Sequence, residues 1–504
     1  MSEQSTEMVS MSDIARLVGQ SRSTVGNWKA RNPDFPTEHG RTARGPLYDR
    51  AEVEQWLDAR SAGIDFQKHE KFRWHLVAPY SQGMTFEQQL HAMLLILICL
   101  LESDPMDARR VWVADSEDGR EDNMNVTRVR LFRALLGQIG ISADDVVIDP
   151  DWFEEAMDTA YLAEVPGDRF LAYELLDQAS RITTRPAFQA PMEALRHLMV
   201  GLCDPEGSLL VATPALGQVV VDAARAVEAA GRKCAITADV SDQTVEEIVE
   251  LALRAAGYQA NLRPGNGINQ ITDPNERFDR ILAAPDWSER FVTETTRRAD
   301  PRWMLMTPED GEGVEAWIQH CLYYLSEGGR AVVLVPSSFL FQSGRTGQFR
   351  QGLVAQGWIE AVFSLPPDIG PDKKIAYSVL VLTRRPIAQS AHPLNVLLVD
   401  ASGNGGSRRN PPLAVEATVR WIDAYRGWKE LGVVSHPCVA VDGHQIADRN
   451  FILSPDLYLD LTERPVDLVQ MLRERESVVA RLEHQLDLVA RADEALKEVF
   501  QWEL

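Results

Sequence analysis

The spacing of hydrophobic positions changes character along the chain. From residue 63 to about 180, apolar and charged positions alternate at helical steps, interrupted by Asp- and Glu-rich loops near 102–122 and 142–158, which predicts a helical bundle. The longest apolar run, residues 92–101, is about half of the ~20 residues a membrane helix needs, so it reads as a buried helix. From about 207 the pattern becomes short apolar runs alternating with amphipathic segments, the signature of a parallel, doubly wound α/β sheet. Predicted strands are 208–212, 233–238, 280–283, 331–336, 359–364 and 378–383, with helices near 217–230, 242–256 and 314–325. In such sheets ligands sit beyond the carboxyl ends of the strands, so the loops after the predicted strands are where chemistry is sought.

The first sixty residues have a pattern of their own. Residues 12–19 form a short amphipathic stretch with Ser12 as N-cap and Gly19 as terminator, and residues 20–28 begin a second helix. Small Ala15 and apolar Ile14, Val18, Val25 and Trp28 fall at the spacing that packs two helices into a helix-turn-helix. Ser21, Arg22, Ser23, Thr24, Asn27 and Lys29 would then face outward, short polar or basic groups suited to phosphates and base edges. Residues 39–48, with Arg41 and Arg44, read as a β-wing, and 50–57 as a closing helix. This stretch resembles the winged helix-turn-helix of the MerR and excisionase type; a module that docks on protein instead is the alternative.

Charge sharpens that contrast. The 504 residues carry 74 Asp and Glu against 51 Lys and Arg, a formal charge of −23, which disfavours nucleic-acid or membrane binding through the overall field. Between Arg22 and Arg50, however, six basic residues (22, 29, 31, 41, 44, 50) stand against three acidic ones (34, 38, 49), so DNA contact is expected to be local. Five cysteines without a CxxC pair argue against a disulfide framework and a thiolate metal site. With an amino terminus that has no basic region followed by an apolar core, a cytoplasmic location without metal is expected.

Between residues 65 and 460 the chain resembles the adenine-specific DNA methyltransferases, in particular the modification subunit of type I restriction-modification systems. The resemblance is carried by Asp300-Pro301-Arg302-Trp303 through Ala316-Trp317-Ile318-Gln319-His320, by residues 325–336, by Arg350, and by residues 359–367 and 379–382. Residues 448–455 are similar to the segment that closes these subunits. The resemblance implies a class I (Rossmann-like) methyltransferase sheet and S-adenosylmethionine as cofactor. It also implies double-stranded DNA as substrate and a specificity-type subunit as partner.

The motifs that carry the chemistry depart from the family. Its cofactor loop, Asp-Pro-Ala-Cys-Gly-Ser-Gly, is here Thr213-Pro214-Ala215-Leu216-Gly217-Gln218-Val219, so the acid is a threonine. The second glycine is a β-branched valine, expected to resist positive φ and to fill cofactor space. Asp239 falls where the resemblance implies the acid that binds the ribose hydroxyls, and Gly265-Asn266 stands for the adenine-contacting Gly-Asp. The catalytic tetrad, Asn or Asp followed by Pro, Pro and an aromatic, accepts the protons of the target amine and stacks on the flipped base. Here it reads Ala284-Pro285-Asp286-Trp287, and Ala284 offers no side-chain acceptor. Ala190 replaces the hydroxyl of a Phe-x-Thr-Pro entry, where Pro191 serves equally as a helix start. Arg290, Arg297, Arg298 and Arg302 line either a basic groove or a solvated face, and Arg408-Arg409 is a second candidate contact.

Four stretches follow: a winged helix-turn-helix over 1–62, a helical bundle over 63–185, a methyltransferase-like α/β domain over 186–400, and a C-terminal segment over 401–504. In the last, Val479, Leu482, Leu486, Val489, Leu496 and Phe500 form a coiled-coil-like seam broken at Asp493, open to docking within the chain or self-association. The expected function is that of a non-catalytic, DNA-binding methyltransferase homologue in restriction-modification, phage defence or transcription control. The alternatives are an active S-adenosylmethionine-dependent adenine methyltransferase with divergent motifs, and a protein-interaction scaffold.

Overall fold

The computed structural model describes residues 84–459 apart from 105–106, 108–110, 112–123, 143–145, 163–169, 184–189, 265–267, 269–272, 286, 288–299, 367–374, 385–394, 403–414 and 435–436, together with 8–11, 14, 25, 28–29, 32, 34–42, 45–49, 52–53 and 56. The chain divides into Met1–Pro455 and Asp456–Leu504. The seam from Val479 to Phe500 lies outside the described residues.

Near the amino terminus β1 (Met8–Ser10), β2 (Glu38–Thr42) and β3 (Gly45–Asp49) form an antiparallel sheet in the order β1-β3-β2. Val9, Ile14, Val25, Phe35, Tyr48 and Val53 make a separate small core, with Trp28 and Trp56 packed against it. Phe35 meets Tyr48 edge-on at 5.4 Å and Trp56 at 4.9 Å between ring centroids. The strand Met8–Ser10 has no counterpart in the sequence reading, since three residues are too few to show a period.

Helices α1 (Phe86–Glu102), α2 (Met124–Gln138), α3 (Pro150–Leu162), α4 (Phe170–Ile182) and α5 (Glu193–Cys203) follow. Thr85 starts α1 with a capping box: its hydroxyl accepts from the Gln88 amide at 3.3 Å while the Gln88 side chain accepts from the Thr85 amide at 2.8 Å. The apolar run of α1 is buried from Ala92 to Leu100 because the helix is packed on more than one side. Its far end is tied to the sheet layer by an ion pair, Arg254 to Glu102, at 2.7 Å. One continuous core joins these helices to the sheet, so hydrophobic packing runs uninterrupted across residue 185. No helix among the described residues is long and apolar enough to cross a membrane.

The large sheet contains β4 (Gly207–Val211), β5 (Cys234–Val240), β6 (Asn261–Pro264), β7 (Phe278–Ala283), β8 (Leu325–Pro336), β9 (Ile359–Ser364), β10 (Tyr377–Thr383), β11 (Val396–Asp400) and β12 (Cys438–Val441). Their order is β12-β11-β9-β10-β8-β7-β4-β5-β6. Helices α6 (Gln218–Ala229), α7 (Gln243–Ala256), α8 (Gly313–Tyr324), α9 (Arg345–Ala355), α10 (Val415–Leu431) and α11 (Gly443–Ala447) complete the layers. The expected parallel sheet is in fact mixed: β10 runs antiparallel to both β8 and β9, and β12 antiparallel to β11. All of β10 is buried, and a strand covered on both faces reads as a continuous apolar run whatever its direction. Hydropathy therefore locates such a strand without orienting it.

Buried arginines hold the layers together. Arg196 on α5 is 1% exposed and donates from Nε to Asp222 on α6 at 2.7 Å and from Nη1 to the Pro191 carbonyl at 2.6 Å. It also donates to the Tyr173 hydroxyl of α4. Arg350 on α9 donates to the carbonyls of Phe339 and Phe451 at 2.6 and 2.9 Å, securing the chain around residue 451 against the sheet domain. The thiols of Cys203 and Cys321 are fully buried and pushed up to about 12 by burial, which marks them as packing groups rather than nucleophiles.

Candidate functional site

The carboxyl edge of β4 carries the loop 213–217, and its local chemistry explains its shape. Gly217 caps α6 with φ +98°, and a Cβ there would meet Ala252 and Val249 of α7 at 3.6 Å. Glycine is required by the backbone angle, since the space itself would take a Cβ in ordinary contact. Gln218 is buried; its carbonyl oxygen accepts from the Leu216 amide at 3.0 Å and its amide donates to the Leu176 carbonyl of α4 at 2.8 Å. That side chain pins the loop to the helical layer.

Val219 corrects the sequence expectation in one respect. Left-handed backbone falls at Ala215 (φ +53°) and Gly217, whereas Val219 lies inside helix α6, so positive φ is not demanded of it. Val219 and Leu216 are 6% and 0% exposed and pack into the main core.

Thr213 and Ala284 meet. The Thr213 hydroxyl accepts from the Ala284 amide at 2.7 Å, and beside it the Ala212 amide donates to the Leu282 carbonyl at 2.9 Å, stitching the ends of β4 and β7 together. Pro285 is buried, and Trp287 is partly buried against the core with an indole nitrogen that has no hydrogen-bond partner among the described residues. Asp286 and Asn266 lie outside the described residues.

Asp239, on β5, is 5% exposed and stands opposite Arg263 of β6 in register. One carboxylate oxygen accepts from Arg263 Nε at 2.7 Å, and Arg263 also pairs with Glu276. The other oxygen, Oδ2, is buried and has no hydrogen-bond partner among the described residues. Burial pushes the Asp239 carboxyl up, and Arg263 opposes that shift. Arg263 also lies over the rings of Phe278 and Tyr324, at 5.6 and 5.8 Å. Sequence reasoning passed over Arg263; the one available signal was a cation alternating with apolar residues in a short strand.

Arg302 does not line a groove. It is 1% exposed, grips Asp300 through two nitrogens at 3.0 and 2.6 Å, and donates to His320 Nδ1 at 3.0 Å. Burial, with Arg302 and Arg263 nearby, holds His320 well below its usual range, so the ring is neutral at pH 7. The sequence block 300–320 is thus a buried polar clasp between a loop and α8. Arg290, Arg297, Arg298, Arg408 and Arg409 lie outside the described residues. Among the described residues no cluster of His, Cys, Asp and Glu has the makings of a metal site.

Of the candidate DNA contacts, Ser21, Arg22, Ser23, Thr24, Asn27 and Arg44 lie outside the described residues. Lys29 donates to the Tyr48 hydroxyl at 2.8 Å and pairs with Glu38 at 3.5 Å, a set of contacts that raises its pKa through the Tyr48 bond first. Arg41 is largely exposed and sits 3.4 Å from Glu38. These two cations share one carboxylate, Glu38, on the same small sheet.

A sheet in which β4 is flanked by β5 and β7, with β10 reversed and a glycine-capped loop after β4, defines the class I S-adenosylmethionine-dependent methyltransferase fold. Residues 188–465 match the family described as N-6 DNA Methylase, and the chain belongs to that family. It is 23% identical over 255 residues to the type I restriction enzyme HindI methylase subunit of Haemophilus influenzae, a match covering 49% of this chain and 57% of that protein. The chain thus spans little more than half the length of that relative. In fold it is similar to the type I restriction-modification methyltransferase subunit from Streptococcus thermophilus, with TM-score 0.57, 15% identity, and coverage of 89% of this chain and 91% of the other. A chain from a structure of the type I R-M system gives TM-score 0.52 at 14% identity, covering 83% and 94%.

Proposed function

We propose that this protein is a DNA-binding relative of the type I modification subunits in which the methyltransferase fold is retained and methyl transfer is not. One observation carries the reading: the Thr213 hydroxyl is engaged by the Ala284 amide where the family places a cofactor-loop acid and a proton-accepting side chain. Position 284 has no side-chain oxygen, and the adjoining Leu216 and Val219 are packed into the core. S-adenosylmethionine, which the family implies, finds a divided site. Asp239 Oδ2 is a buried acceptor of the kind a ribose hydroxyl needs. At the loop that the family uses for the methionine end, Thr213 and Val219 replace its acid and second glycine, and Thr213 brings no carboxylate.

The amino-terminal module supplies the DNA contact in this reading, as a winged helix-turn-helix with Arg22 and Asn27 on its outward helix face. Its warrant is the local excess of basic residues in a chain of net charge −23. Fluorescence anisotropy with duplex DNA tests it. Arg22→Ala is expected to weaken binding about tenfold and to reduce the slope of log affinity against log salt by about 1, and Asn27→Ala to weaken binding with the salt slope unchanged. Unaltered affinity in both variants favours the protein-interaction scaffold.

An active enzyme with divergent motifs is the second reading, and the open Asp239 oxygen favours it. Assembly with a specificity-type subunit belongs to either reading, and in both the C-terminal segment offers a further surface for a partner or a second copy.

A further inference from the structure

At the amino-terminal edge of the sheet, on the side opposite the loop 213–217, a cleft of about 470 Å³ opens between α5, α6, β8 and α10. Its volume lies in the range of about 300–1,000 Å³ typical of small-ligand sites. The lining carries Arg232, Arg330, Arg426 and Lys429 against two carboxylates, Asp204 and Glu430. In a chain with net charge −23 this is a local reversal of sign.

The internal pairing does not use up these cations. Asp204 is shared between Arg232 at 2.9 Å and Arg426 at 3.7 Å, so two guanidinium groups face one carboxylate. Glu360 pairs with Lys429, accepts from the Tyr425 hydroxyl at 2.7 Å and, with Tyr425 and Asp204, holds the Arg330 guanidinium above its usual range against burial, so four cations meet three carboxylates, Asp204, Glu360 and Glu430. Arg330 donates once, to the Leu202 carbonyl at 3.1 Å, and its guanidinium lies 5.3 Å from the Tyr425 ring centroid. Its Nε is buried and has no hydrogen-bond partner among the described residues. Buried polar groups are nearly always bonded, and a guanidinium with spare donors in a cleft suits a planar or tetrahedral anion.

We propose that this cleft binds the terminal phosphoryl group of a small ligand, with Arg330 as its central donor and Arg232 and Arg426 at the rim. A doubly charged phosphoryl group matches three forked donors better than a phosphodiester of charge −1, and the pocket takes in a small molecule rather than a duplex. The site is separate from the loop 213–217 and stands or falls independently of whether the protein transfers methyl groups.

Calorimetric titration of the full chain with pyrophosphate in low-chloride buffer tests the assignment. Saturable binding is expected, weakened about tenfold or more in Arg330→Gln and severalfold in Arg426→Gln. Circular dichroism reports whether Arg330→Gln is folded; if it is not, half-exposed Arg426→Gln carries the test. Absence of saturation up to millimolar pyrophosphate overturns the proposal, as does affinity unchanged in the folded variants. A second arm titrates short duplex DNA against the pyrophosphate complex. Failure to displace is expected, and displacement assigns the cleft to backbone phosphates and overturns the small-ligand site.

Discussion

Incubated with S-adenosylmethionine and unmodified duplex DNA, the protein is expected to transfer no methyl groups above background, and Ala284→Asn alone is expected to leave it inactive. An exocyclic amine is a poor nucleophile until its protons are accepted by groups held in place. Removing one preorganised polar group from an active site costs about 10²–10³ in rate. Here the side chain at 284 is an alanine, which offers no oxygen to accept those protons. Restoring an asparagine supplies the acceptor but leaves the loop with Thr213 in place of the family's acid and Val219 in place of its second glycine. A displacement of about 1 Å is enough to lose about 10², so two faults at adjacent strand ends compound. Incorporation of labelled methyl groups checks this: label transferred by the unaltered protein supports the second reading, and label appearing only with Ala284→Asn shows the cofactor loop to be intact.

Arg196→Ala is expected to destabilise the fold by about 3–5 kcal/mol, the cost of breaking a buried charge network by removing one partner. Arg196 is 1% exposed and bonds Asp222, the Pro191 carbonyl and Tyr173, so its loss strands a carboxylate and a phenol between α4, α5 and α6. The Tyr173 phenol, already pushed up by burial, has nothing to gain by ionising in compensation. Domains of this kind hold about 5–15 kcal/mol in total, so the variant sits near the folding threshold. Urea denaturation followed by circular dichroism measures the shift. A midpoint unchanged from the parent contradicts the role given to Arg196.

The sheet layer was legible because its strands and helices obey strong periods. Strands β4, β5, β7, β8, β9 and β10 stand where the hydropathy pattern puts them, and Gly217 falls at the turn that needs it. Three kinds of information were not local enough to read. The direction of β10 is one, since burial on both faces removes the alternation that would accompany a one-sided strand. Pairings across neighbouring strands are another: Asp239 with Arg263 depends on the register of β5 against β6, and Thr213 with Ala284 on that of β4 against β7. The third is the fate of a charge. Arg302 looks from sequence like one of a run of exposed cations, yet Asp300 and His320 enclose it completely. At the site itself, the substitutions at 213, 219 and 284 were visible as residue types, while the setting of Val219, packed within a helix rather than at a left-handed turn, required the helix around it.

The central claim is that the fold is kept while the cofactor end of the site is closed, and calorimetric titration with S-adenosylmethionine, alone and with duplex DNA present, addresses it most directly. The account predicts no saturable heat up to millimolar ligand while DNA remains bound. Saturable binding in the micromolar range contradicts it and makes the protein a cofactor-binding methyltransferase with divergent motifs.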